Sequence, residues 1–385
     1  MNSNFKAVYL KPNKERAIHH RHPWVFSGAI AKIDDSIDLG DAVCLMDHQK
    51  KPLALGYWCG GAGIVIRLVS FEPDYALDPA FFRKRFIGAR DLRRALGLPN
   101  QRTNGFRLIH GEGDGLSGLV CDVFNDTASI QLSNPGLKPI IDDLCQFLVD
   151  IYNIKSIYFD DGSSGQWILP GQSEVLFKEN GHMFFATVGH GQKTGYFLDQ
   201  RANRDLVEAY AREKNVLDTF CYSGGFTVHA LQGGARSVTS VDISHNALLF
   251  CEKNVASNDA TGAHALVEAD CFTYLRELQK DDFELIILDP PAFAKTAHAV
   301  AKASRGYKDI NLLAMKAIRS GGYIFTFSCS QHVAMDLFKK IIFSAAVDSQ
   351  REVKIVAELT QGGDHPVSVY CPQSLYLKGL MLYVE

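Results

Sequence analysis

Acidic side chains and one cysteine stand where strand-like apolar segments end in the second half of this 385-residue chain. They are Asp218, Asp242, Asp270, Asp289 and Cys329. The carboxyl ends of parallel strands meet at one edge of a sheet, and ligands bind in the crevice outside that edge. A carboxylate there can bind ribose hydroxyl groups, and a cysteine thiolate can attack an electrophilic carbon. The pattern therefore predicts a ligand site equipped for covalent catalysis.

The segment Asn215–Asp242 predicts a βαβ unit of the length that a parallel crossover needs. An apolar run precedes the turn Ser223–Gly225, a helix follows, and a second strand ends at Asp242. Asp218 and Asp242 are 24 positions apart, close to the spacing that a ribose contact requires. Phe220 stands where a dinucleotide fingerprint would have its first glycine. Tight packing of a helix on a sheet is therefore the alternative role for Gly224 and Gly225.

Further strands and helices alternate after this unit, and they predict a doubly wound, mostly parallel α/β sheet. The strand before Asp289-Pro290-Pro291 is wholly apolar, and the rigid prolines can hold backbone carbonyls toward a flat base. Asp242 would bind a ribose, and Asp270 with Phe272 would surround an adenine. No feature is suited to a pyrophosphate, so the pattern favours S-adenosylmethionine over a dinucleotide.

Cys329 follows a predicted strand and precedes a helix predicted from about Val333, whose N-terminal amides would favour a thiolate. A thiolate can add to carbon 6 of a pyrimidine, which makes carbon 5 nucleophilic enough to accept a methyl group. A base then removes the carbon-5 proton and the thiolate leaves by elimination. Asp289 is the nearest candidate to contact the ring nitrogen or the exocyclic amine. The alternative for any lone cysteine is a small buried apolar residue.

The first 110 residues carry 17 Lys and Arg against 10 Asp and Glu, whereas the remainder carries 23 against 33. A basic front half suggests contact with a polyanion. Short β-rich segments at 42–46, 52–57 and 64–69 follow a basic patch that includes Arg16, Arg21 and Trp24. Arginine can contact phosphate and an aromatic ring can stack on a base, so these three residues are predicted to bind RNA.

The same patch contains His19, His20 and His22, but they lack a partner cluster, so no metal site is expected. Trp24 and Phe26 flank Val25, and at least one of the two aromatic rings is expected in the core. Nine cysteines without a C-x-x-C pair indicate a reducing compartment, which predicts a cytoplasmic protein. No apolar run is long enough for a signal peptide or a membrane span.

Several motifs together resemble those of the RlmI-type ribosomal RNA large-subunit cytosine-C5 methyltransferases. The motifs are His22–Ala29, Gly113–Leu116, Lys193–Arg201, Ser223–Phe226, Asp289–Pro291, Arg305–Asn311 and Thr326–Ser330. The resemblance covers essentially the whole chain. It implies a PUA RNA-binding β-barrel at 1–73, a central α+β linking domain at 74–182 and a Rossmann-like, seven-stranded class I methyltransferase domain at 183–385.

The resemblance also implies that Cys329 is the nucleophile and that Lys193–Arg201 helps to hold the methionine end of S-adenosylmethionine. Related pyrimidine methyltransferases often carry a second cysteine, or a lysine, directly after Asp-Pro-Pro, but this chain has Ala292 there. Product release therefore cannot use a cysteine at that position, and a substrate contact from a lysine is also absent.

The predicted cofactor contacts, besides Asp289, comprise Thr194, Tyr196, Phe197, Gln200, Arg201, Asp218, Phe220, Ser223, Gly224, Asp242, Ile243, Asp270, Cys271, Phe272 and Pro290. The predicted partner is ribosomal RNA, with a homodimer as a possibility. Two alternatives remain open. One is an exocyclic-amine methyltransferase acting on guanine N2 or adenine N6, which also uses an Asp-Pro-Pro type motif but no thiolate. The other is a non-catalytic RNA-binding ribosome assembly factor.

Overall fold

A computed structural model of the chain describes residues 5–33, 36–61, 63–189 and 194–385. The chain divides into two compact units. Unit 1 comprises Met1–Phe177, Ala186–Tyr196 and Gly363–Ser374, and unit 2 comprises Lys178–Phe185, Phe197–Gly362 and Leu375–Glu385. No helix among the described residues is long and apolar enough to cross a membrane. The finer division at 1–73, 74–182 and 183–385 stays a prediction.

Unit 1 begins with a six-stranded sheet in the order β2-β6-β5-β4-β1-β3. Its elements are β1 (Lys6–Leu10), α1 (Arg16–His19), β2 (Trp24–Phe26), β3 (Ile30–Ile33), β4 (Ala42–Met46), β5 (Pro52–Trp58) and β6 (Ile64–Ser70). Successive side chains of a strand point to opposite faces. Val25 is accordingly buried, whereas Trp24 is half-buried and Phe26 is 49% exposed. The expectation that Trp24 or Phe26 belongs to the core is therefore wrong, because the valine between them faces inward.

A second sheet in unit 1 has the order β11-β10-β9-β8-β7. Its elements are α2 (Pro79–Ala95), β7 (Gly105–His110), β8 (Leu119–Phe124), β9 (Thr127–Leu132), α3 (Ile141–Tyr152), β10 (Ser156–Asp160) and β11 (Gly165–Leu169). The Asp78 side chain accepts a hydrogen bond from Phe81 N and caps α2, which begins with a proline. Strands β12 (Glu174–Glu179) and β13 (His182–Thr187) form a separate two-stranded sheet.

A fully buried arginine explains the glycine-rich acidic turn between β7 and β8. The guanidinium of Arg93 pairs with both carboxylate oxygens of Asp114, at 2.5 and 2.9 Å. It also donates to the backbone oxygens of Arg107 and Asp364, at 2.8 and 2.7 Å. A buried guanidinium is stable only when its N–H groups have acceptors. The turn therefore supplies the counterion for the core of unit 1. The sequence predicts the same role, because this glycine-rich segment lacks the lysine and the helix start that a phosphate-binding loop would need.

Replacing Asp114 with Asn should destabilise unit 1 by about 3–5 kcal/mol, because the substitution leaves the Arg93 charge buried without a counterion. Urea denaturation followed by hydrogen exchange of peptides from α2 and β7 would measure the loss. Asp91→Asn is the matched control, since Asp91 pairs with Arg90 at an exposed position and should cost no more than about 0.5 kcal/mol. Equal stability of the two variants would contradict this account of the buried pair.

Unit 2 contains a seven-stranded sheet in the order β16-β15-β14-β17-β18-β20-β19, in which the first five strands are parallel. β20 runs antiparallel to both of its neighbours. This arrangement confirms the predicted Rossmann-like fold. The elements are α4 (Arg201–Tyr210), β14 (Asn215–Thr219), α5 (Gly225–Gln232), β15 (Ser237–Asp242), α6 (His245–Ala256), β16 (Ala263–Glu268), α7 (Cys271–Glu277), β17 (Leu285–Leu288), α8 (Val300–Ala317), β18 (Gly322–Ser328), α9 (Met335–Ser349), β19 (Val353–Thr360) and β20 (Lys378–Val384).

Two local expectations differ from the structure. The sequence predicts a helix from Tyr307, but α8 begins seven residues earlier at Val300, after a short 3-10 turn. The sequence also predicts Asp199 as a helix cap, but Asp199 is buried in a 3-10 turn and accepts a hydrogen bond from the Tyr376 hydroxyl at 2.5 Å. A tertiary partner from a distant segment takes that side chain away from the capping role.

A buried ion-pair network supports α4 and α5 in unit 2. Arg204 contacts both carboxylate oxygens of Glu179, at 2.6 and 2.8 Å, and Glu208 contacts His229 at 2.7 Å and His182 at 2.9 Å. Burial alone would raise the pKa of Glu179, but Arg204 and His229 outweigh it and lower that pKa to about 2. His182, Glu208 and His229 also have the spacing of metal ligands. Their ion pairing already accounts for the arrangement, so the network serves as a structural brace beneath α5.

Candidate active site

The carboxyl ends of four neighbouring parallel strands lie side by side in unit 2. Thr219 at the end of β14 is paired with Val241 of β15 and with Leu288 of β17, and Leu288 is paired with Thr326 of β18. Paired strands are about 4.8 Å apart. The residues that follow these pairs therefore form one continuous rim, which includes Asp242, Asp289 and Cys329, as the sequence predicts.

The turn after β14 is held in a conformation that glycine normally supplies. Phe220 has φ +58° and Tyr222 has φ +49°, followed by Gly224 at +77°. A positive φ at an aromatic residue costs about 1–3 kcal/mol and persists only where its surroundings enforce it. The backbone N–H of Tyr222 donates to Asp242 Oδ2 at 3.0 Å, and that of Phe220 donates to Cys271 Sγ at 3.3 Å. These two contacts fix the turn at the rim.

Packing explains the small residues of the same turn. A Cβ atom on Gly224 would lie 2.4 Å from the Sγ atom of Cys251 in α6, so only glycine fits. The side-chain amide of Asn254 donates to the backbone oxygen of Ser223 at 2.8 Å, and Ser223 is buried. This contact supports the alternative role of Gly224, which is close packing of a helix on the sheet.

Asp218 lies inside the sheet and not at its edge, which corrects the expectation from the sequence. It precedes the last residue of β14, and its Oδ2 atom accepts a hydrogen bond from the Thr227 hydroxyl at 2.7 Å. Among the described residues, no donor reaches its buried Oδ1 atom. Burial raises the pKa of Asp218 well above its ordinary value, and the nearby Asp289 adds to the shift. Burial therefore favours the protonated form of Asp218 beneath the turn.

The predicted adenosine contacts lie at the end of β15 and just after β16. Asp242 Oδ1 accepts from the Ser244 N–H at 2.9 Å, so both of its carboxylate oxygens are oriented by backbone donors. Ile243 is 70% exposed. Asp270 is exposed and caps α7 by accepting from Thr273 N at 2.9 Å. An oriented carboxylate beside an exposed apolar side chain suits a ribose next to a flat base.

Phe272 and Cys271 follow Asp270 and have different surroundings. The Phe272 ring centroid lies 6.4 Å from that of Phe220 and 5.7 Å from that of Phe293, so it belongs to an aromatic row along the rim. The Cys271 thiol is buried, accepts from Phe220 N and donates to Val241 O at 3.6 Å. Burial raises the pKa of Cys271 to about 12, so this cysteine supports the turn and is not reactive.

The residues predicted to hold the methionine end of the cofactor divide between the two units. Lys193 lies outside the described residues. Thr194 and Tyr196 belong to unit 1, where Thr194 donates to the buried Asp122 and the Tyr196 ring lies 5.0 Å from that of Phe177.

Phe197, Gln200 and Arg201 belong to unit 2. The Phe197 ring lies 5.2 Å from that of Tyr222 in the glycine turn. Gln200 is buried, and its Oε1 atom accepts from the Asn203 amide at 2.6 Å. The structure therefore brings Phe197 to the turn and uses Gln200 to anchor the start of α4.

Cys329 directly follows β18 and is half-buried. Its Sγ atom lies 3.8 Å from the backbone oxygen of Pro290, so the thiol is adjacent to the Asp289-Pro290-Pro291 motif. The helix expected from about Val333 begins two residues later, at Met335. The cysteine therefore sits on a connecting segment and not against the first turn of α9.

The residue after Cys329 clamps this segment in place. Ser330 Oγ accepts from the Ala294 N–H at 3.0 Å and hydrogen-bonds the Tyr307 hydroxyl at 2.9 Å. Its backbone oxygen accepts from Lys378 Nζ at 2.7 Å. One serine therefore joins the segments after β17 and β18 to α8 and β20.

Lys378 is a buried ammonium group close to Cys329, and sequence reasoning missed it. It opens β20, is paired across the sheet with Ser328, and is 3% exposed. Its Nζ atom donates to Ser330 O and, at 2.6 Å, to Tyr376 O. Burial lowers the pKa of Lys378 to about 8, while Cys329 acts in the opposite direction. A lysine at the start of an otherwise apolar strand was the available signal in the sequence.

The residues predicted to bind RNA lie in unit 1. Arg16 is exposed on α1, and Arg21 is exposed with φ +60°. The Arg21 guanidinium lies 5.5 Å from the ring centroids of both Phe71 and Tyr370. Trp24 donates from Nε1 to Glu112 at 2.8 Å, so its polar edge is already engaged. Of the three, Arg16 and Arg21 present charged groups to solvent.

Comparison with known proteins places these features in a family. A profile of S-adenosylmethionine-dependent methyltransferases matches residues 154–340, and one of PUA-like domains matches residues 8–71. A ribosomal RNA large subunit methyltransferase I from Alteromonas mediterranea is 36% identical over 98% of this chain and 98% of its own length. This chain belongs to the ribosomal RNA large subunit methyltransferase I family. A protein of the same name from Tolumonas auensis is 37% identical over 97% of this chain and 98% of its own length.

Membership of the ribosomal RNA large subunit methyltransferase I family confirms the resemblance seen in the motifs and makes S-adenosylmethionine the cofactor. Two solved structures share the fold. A putative S-adenosylmethionine-dependent methyltransferase from Streptococcus mutans superposes with a TM-score of 0.84 at 23% identity, covering 98% of this chain and all of that one. A putative methyltransferase complexed with SAH superposes with a TM-score of 0.85 at the same identity and coverage.

Replacing Asp218 with Asn should raise the unfolding temperature at pH 8. Burial raises the folded-state pKa above the unfolded value, so the stability of the wild type falls as pH rises toward the folded pKa. The neutral amide avoids that loss and can still accept from Thr227. One pKa unit corresponds to about 1.4 kcal/mol, so a gain of a few degrees is expected.

Thermal unfolding of Asp218→Asn at pH 4 and pH 8 would check this, with the exposed Asp282→Asn as control. The advantage of Asp218→Asn should shrink at pH 4, where a substantial fraction of the unfolded-state aspartate is protonated as well. A variant that is destabilised equally at both pH values would show that Asp218 is ionised in the folded protein.

Proposed function

We propose that the protein methylates carbon 5 of a cytosine in large-subunit ribosomal RNA through a covalent adduct between Cys329 and carbon 6. Family membership supports the coarser part, an S-adenosylmethionine-dependent methyltransferase of large-subunit ribosomal RNA. The observation that carries the finer part is the half-buried Cys329 on the rim, 3.8 Å from Pro290 O. A cytoplasmic location follows from that substrate.

The rim has the groups that S-adenosylmethionine requires. Asp242 offers an oriented carboxylate for the ribose, and Ile243 with Phe272 offers apolar faces for the adenine. The strained turn at Phe220 and Tyr222 would present its backbone to the cofactor, and the Phe197 ring packs against Tyr222 in that turn. When bound, the cofactor supplies an electrophilic methyl group on its sulfonium.

The protein's own contribution begins at Cys329. The thiol loses its proton and the thiolate forms a bond to carbon 6, which moves an electron pair to carbon 5. After carbon 5 has gained its methyl group, a base removes the carbon-5 proton. The pair left on carbon 5 restores the double bond to carbon 6 and expels the thiolate. In this proposal Asp289 contacts the cytosine ring nitrogen or exocyclic amine, which favours cytosine.

The target cytosine must also reach the Cys329 thiol. A cytosine within a duplex cannot reach a half-buried thiol, so the target is single-stranded or flipped out of its helix. The half-buried rings of Phe220, Phe272 and Phe293 form an aromatic row that offers stacking surfaces along the same rim, and Phe293 packs against the fully buried ring of Tyr307. Gly306 permits this row to pack on α8, since a Cβ there would lie 3.3 Å from the Phe293 ring.

The alternative with a specific basis is transfer to an exocyclic amine of guanine or adenine, since Asp-Pro-Pro motifs also serve that chemistry. That reaction needs no thiolate, so it would leave Cys329 and its clamp without a role. A non-catalytic assembly factor would keep the fold but would not need the oriented carboxylate of Asp242. The cysteine route is therefore favoured over both.

Wild-type protein mixed with S-adenosylmethionine and RNA containing 5-fluorocytosine should form a stable protein–RNA adduct, because fluorine at carbon 5 cannot leave as a cation. Denaturing electrophoresis with mass mapping of the Cys329 peptide would detect it. Cys329→Ala should form no adduct and no 5-methylcytosine, yet still bind S-adenosylmethionine by calorimetry. Cys59→Ala, in unit 1, is the matched cysteine control and should behave as the wild type. Full turnover by Cys329→Ala would contradict the covalent mechanism.

Lys378 is proposed as a positioning residue that favours the Cys329 thiolate, because a nearby cation stabilises a thiolate. Replacing Lys378 with Met should move the acid limb of the kcat/KM profile to higher pH and lower the rate near pH 7 by about tenfold or more. Lys378→Arg should restore part of the activity. A pH profile that is lowered uniformly, without displacement of the acid limb, would assign Lys378 a purely structural role.

A further inference from the structure

A cavity of about 920 Å³ lies within unit 1, remote in sequence from the methyltransferase rim. Its walls come from the end of β6, from α2 and the segment before it, from the glycine-rich turn at 112–117, and from residues 368 and 370. All of these belong to unit 1. The lining combines positive charge with aromatic rings.

Three basic side chains line this cavity, namely Arg21, Lys84 and Arg85. Within the described part of the chain, none of them pairs with a carboxylate. Burial lowers the pKa of Arg85, and the neighbouring positive charge of Arg21 lowers it further. Arg21 and Arg85 repel each other, and the exposed Glu72 offsets this repulsion only in part, so an anion between the two guanidinium groups would stabilise both.

The acidic residues at the cavity are mostly engaged elsewhere. Asp78 caps α2, Glu112 accepts from Arg67 and Trp24, and Asp114 is paired with the buried Arg93. Glu72 is the remaining acid, and it is exposed and interacts electrostatically with Arg85. The basic side chains at the cavity therefore outnumber the acids that are not engaged elsewhere, which favours a bound anion.

Aromatic rings lie directly beside the basic groups. Tyr75 is 50% exposed and Tyr370 is 49% exposed, and the Arg21 guanidinium lies 5.5 Å from the Tyr370 ring centroid. The Arg85 guanidinium lies 5.2 Å from the ring centroid of Phe81. Exposed aromatic rings adjoining cations match the requirements of a base attached to its phosphate.

Two backbone features distinguish the wall of the cavity. Gly88 stands in the middle of α2, where glycine costs about 1 kcal/mol relative to alanine. A Cβ atom added there would meet nothing within 4 Å, so the helix presents an open wall. Arg21 has φ +60°, a conformation that non-glycine residues adopt mainly at constrained or functional positions.

We propose that this cavity binds a nucleotide of single-stranded RNA, with a phosphate between Arg21 and Arg85 and a base against Tyr75 or Tyr370. The inference rests on the proposed function in taking RNA as the substrate, and it adds a second contact that holds the RNA away from the reacting base. Recognition of this kind depends on phosphate and ring faces, so it tolerates different base sequences.

Fluorescence anisotropy with a mixed-sequence single-stranded RNA of about 12 nucleotides, titrated at several KCl concentrations, would test the site. Arg21→Gln and Arg85→Gln should each raise Kd about tenfold or more, and each should reduce the magnitude of the log Kd against log salt slope by about 0.7–1. Arg83→Gln is the matched control, since Arg83 is an exposed cation on the same helix that does not line the cavity. It should change Kd by less than about threefold.

A steric pair of variants tests the cavity without removing charge. Gly88→Trp should fill the open wall and weaken RNA binding, whereas Gly88→Ala should leave it unchanged and stabilise α2. Wild-type-like RNA affinity in Gly88→Trp and in both arginine variants would overturn the proposal. Competition by millimolar inorganic phosphate alone, equal to that by a nucleoside monophosphate, would show a simple anion site and would also overturn it.

These measurements distinguish a failure of the RNA site from a failure of the proposed cytosine methylation. Calorimetry with S-adenosylmethionine should give the same affinity for all five variants, which confirms that they are folded. A wild-type protein that produces no 5-methylcytosine, yet loses RNA affinity in the two arginine variants, would reject the cytosine reaction and keep this site. A wild-type protein that produces 5-methylcytosine, with RNA affinity unchanged in the two arginine variants, would reject this RNA site and keep the cytosine reaction.

Discussion

The structure depends on the in-register pairing of two parallel strands, β17 and β18. Their pairing carries Asp289-Pro290 and Cys329 out of the sheet side by side, with the cysteine sulfur 3.8 Å from the Pro290 carbonyl oxygen. Parallel strands buried on both faces cannot slip without exposing apolar side chains, so this juxtaposition is fixed by the core. The clamp at Ser330 and the buried ammonium of Lys378 then hold the segment that carries the cysteine.

Much of the rim is built by side chains that have no chemistry of their own to perform. The buried thiol of Cys271 and the carboxylate of Asp242 accept backbone N–H groups and so enforce positive φ angles at Phe220 and Tyr222. Both carboxylate oxygens of Asp242 accept backbone N–H groups, so this side chain shapes the turn and is itself held in one orientation. The buried network of Arg204, Glu179 and His229 supports the helix that follows this turn. Preorganisation of this kind avoids the cost of ordering the site when a ligand binds.

The sequence was sufficient for the order of strands and helices in unit 2, because wholly apolar segments such as Leu285–Leu288 are typical of parallel strands covered on both faces. It also located Asp242, Asp289 and Cys329, since a strand end is defined locally. It could not locate Lys378, whose contact with Ser330 joins residues 48 positions apart across an antiparallel pair. Nor could it show that Asp218 faces inward, or that Asp199 is held by Tyr376, because those partners are tertiary. Motif resemblance identified the family, but the positions of Thr194 and Tyr196 in unit 1 required coordinates.

The most direct measurement is a structure of the protein with S-adenosylhomocysteine and an RNA that carries the target base. We expect a cytosine lifted from its strand, with carbon 6 about 3–3.5 Å from the Sγ atom of Cys329 and Asp289 at its amine edge. A purine in that position, with its exocyclic amine facing the cofactor sulfur and Cys329 out of contact with the base, would contradict the covalent mechanism.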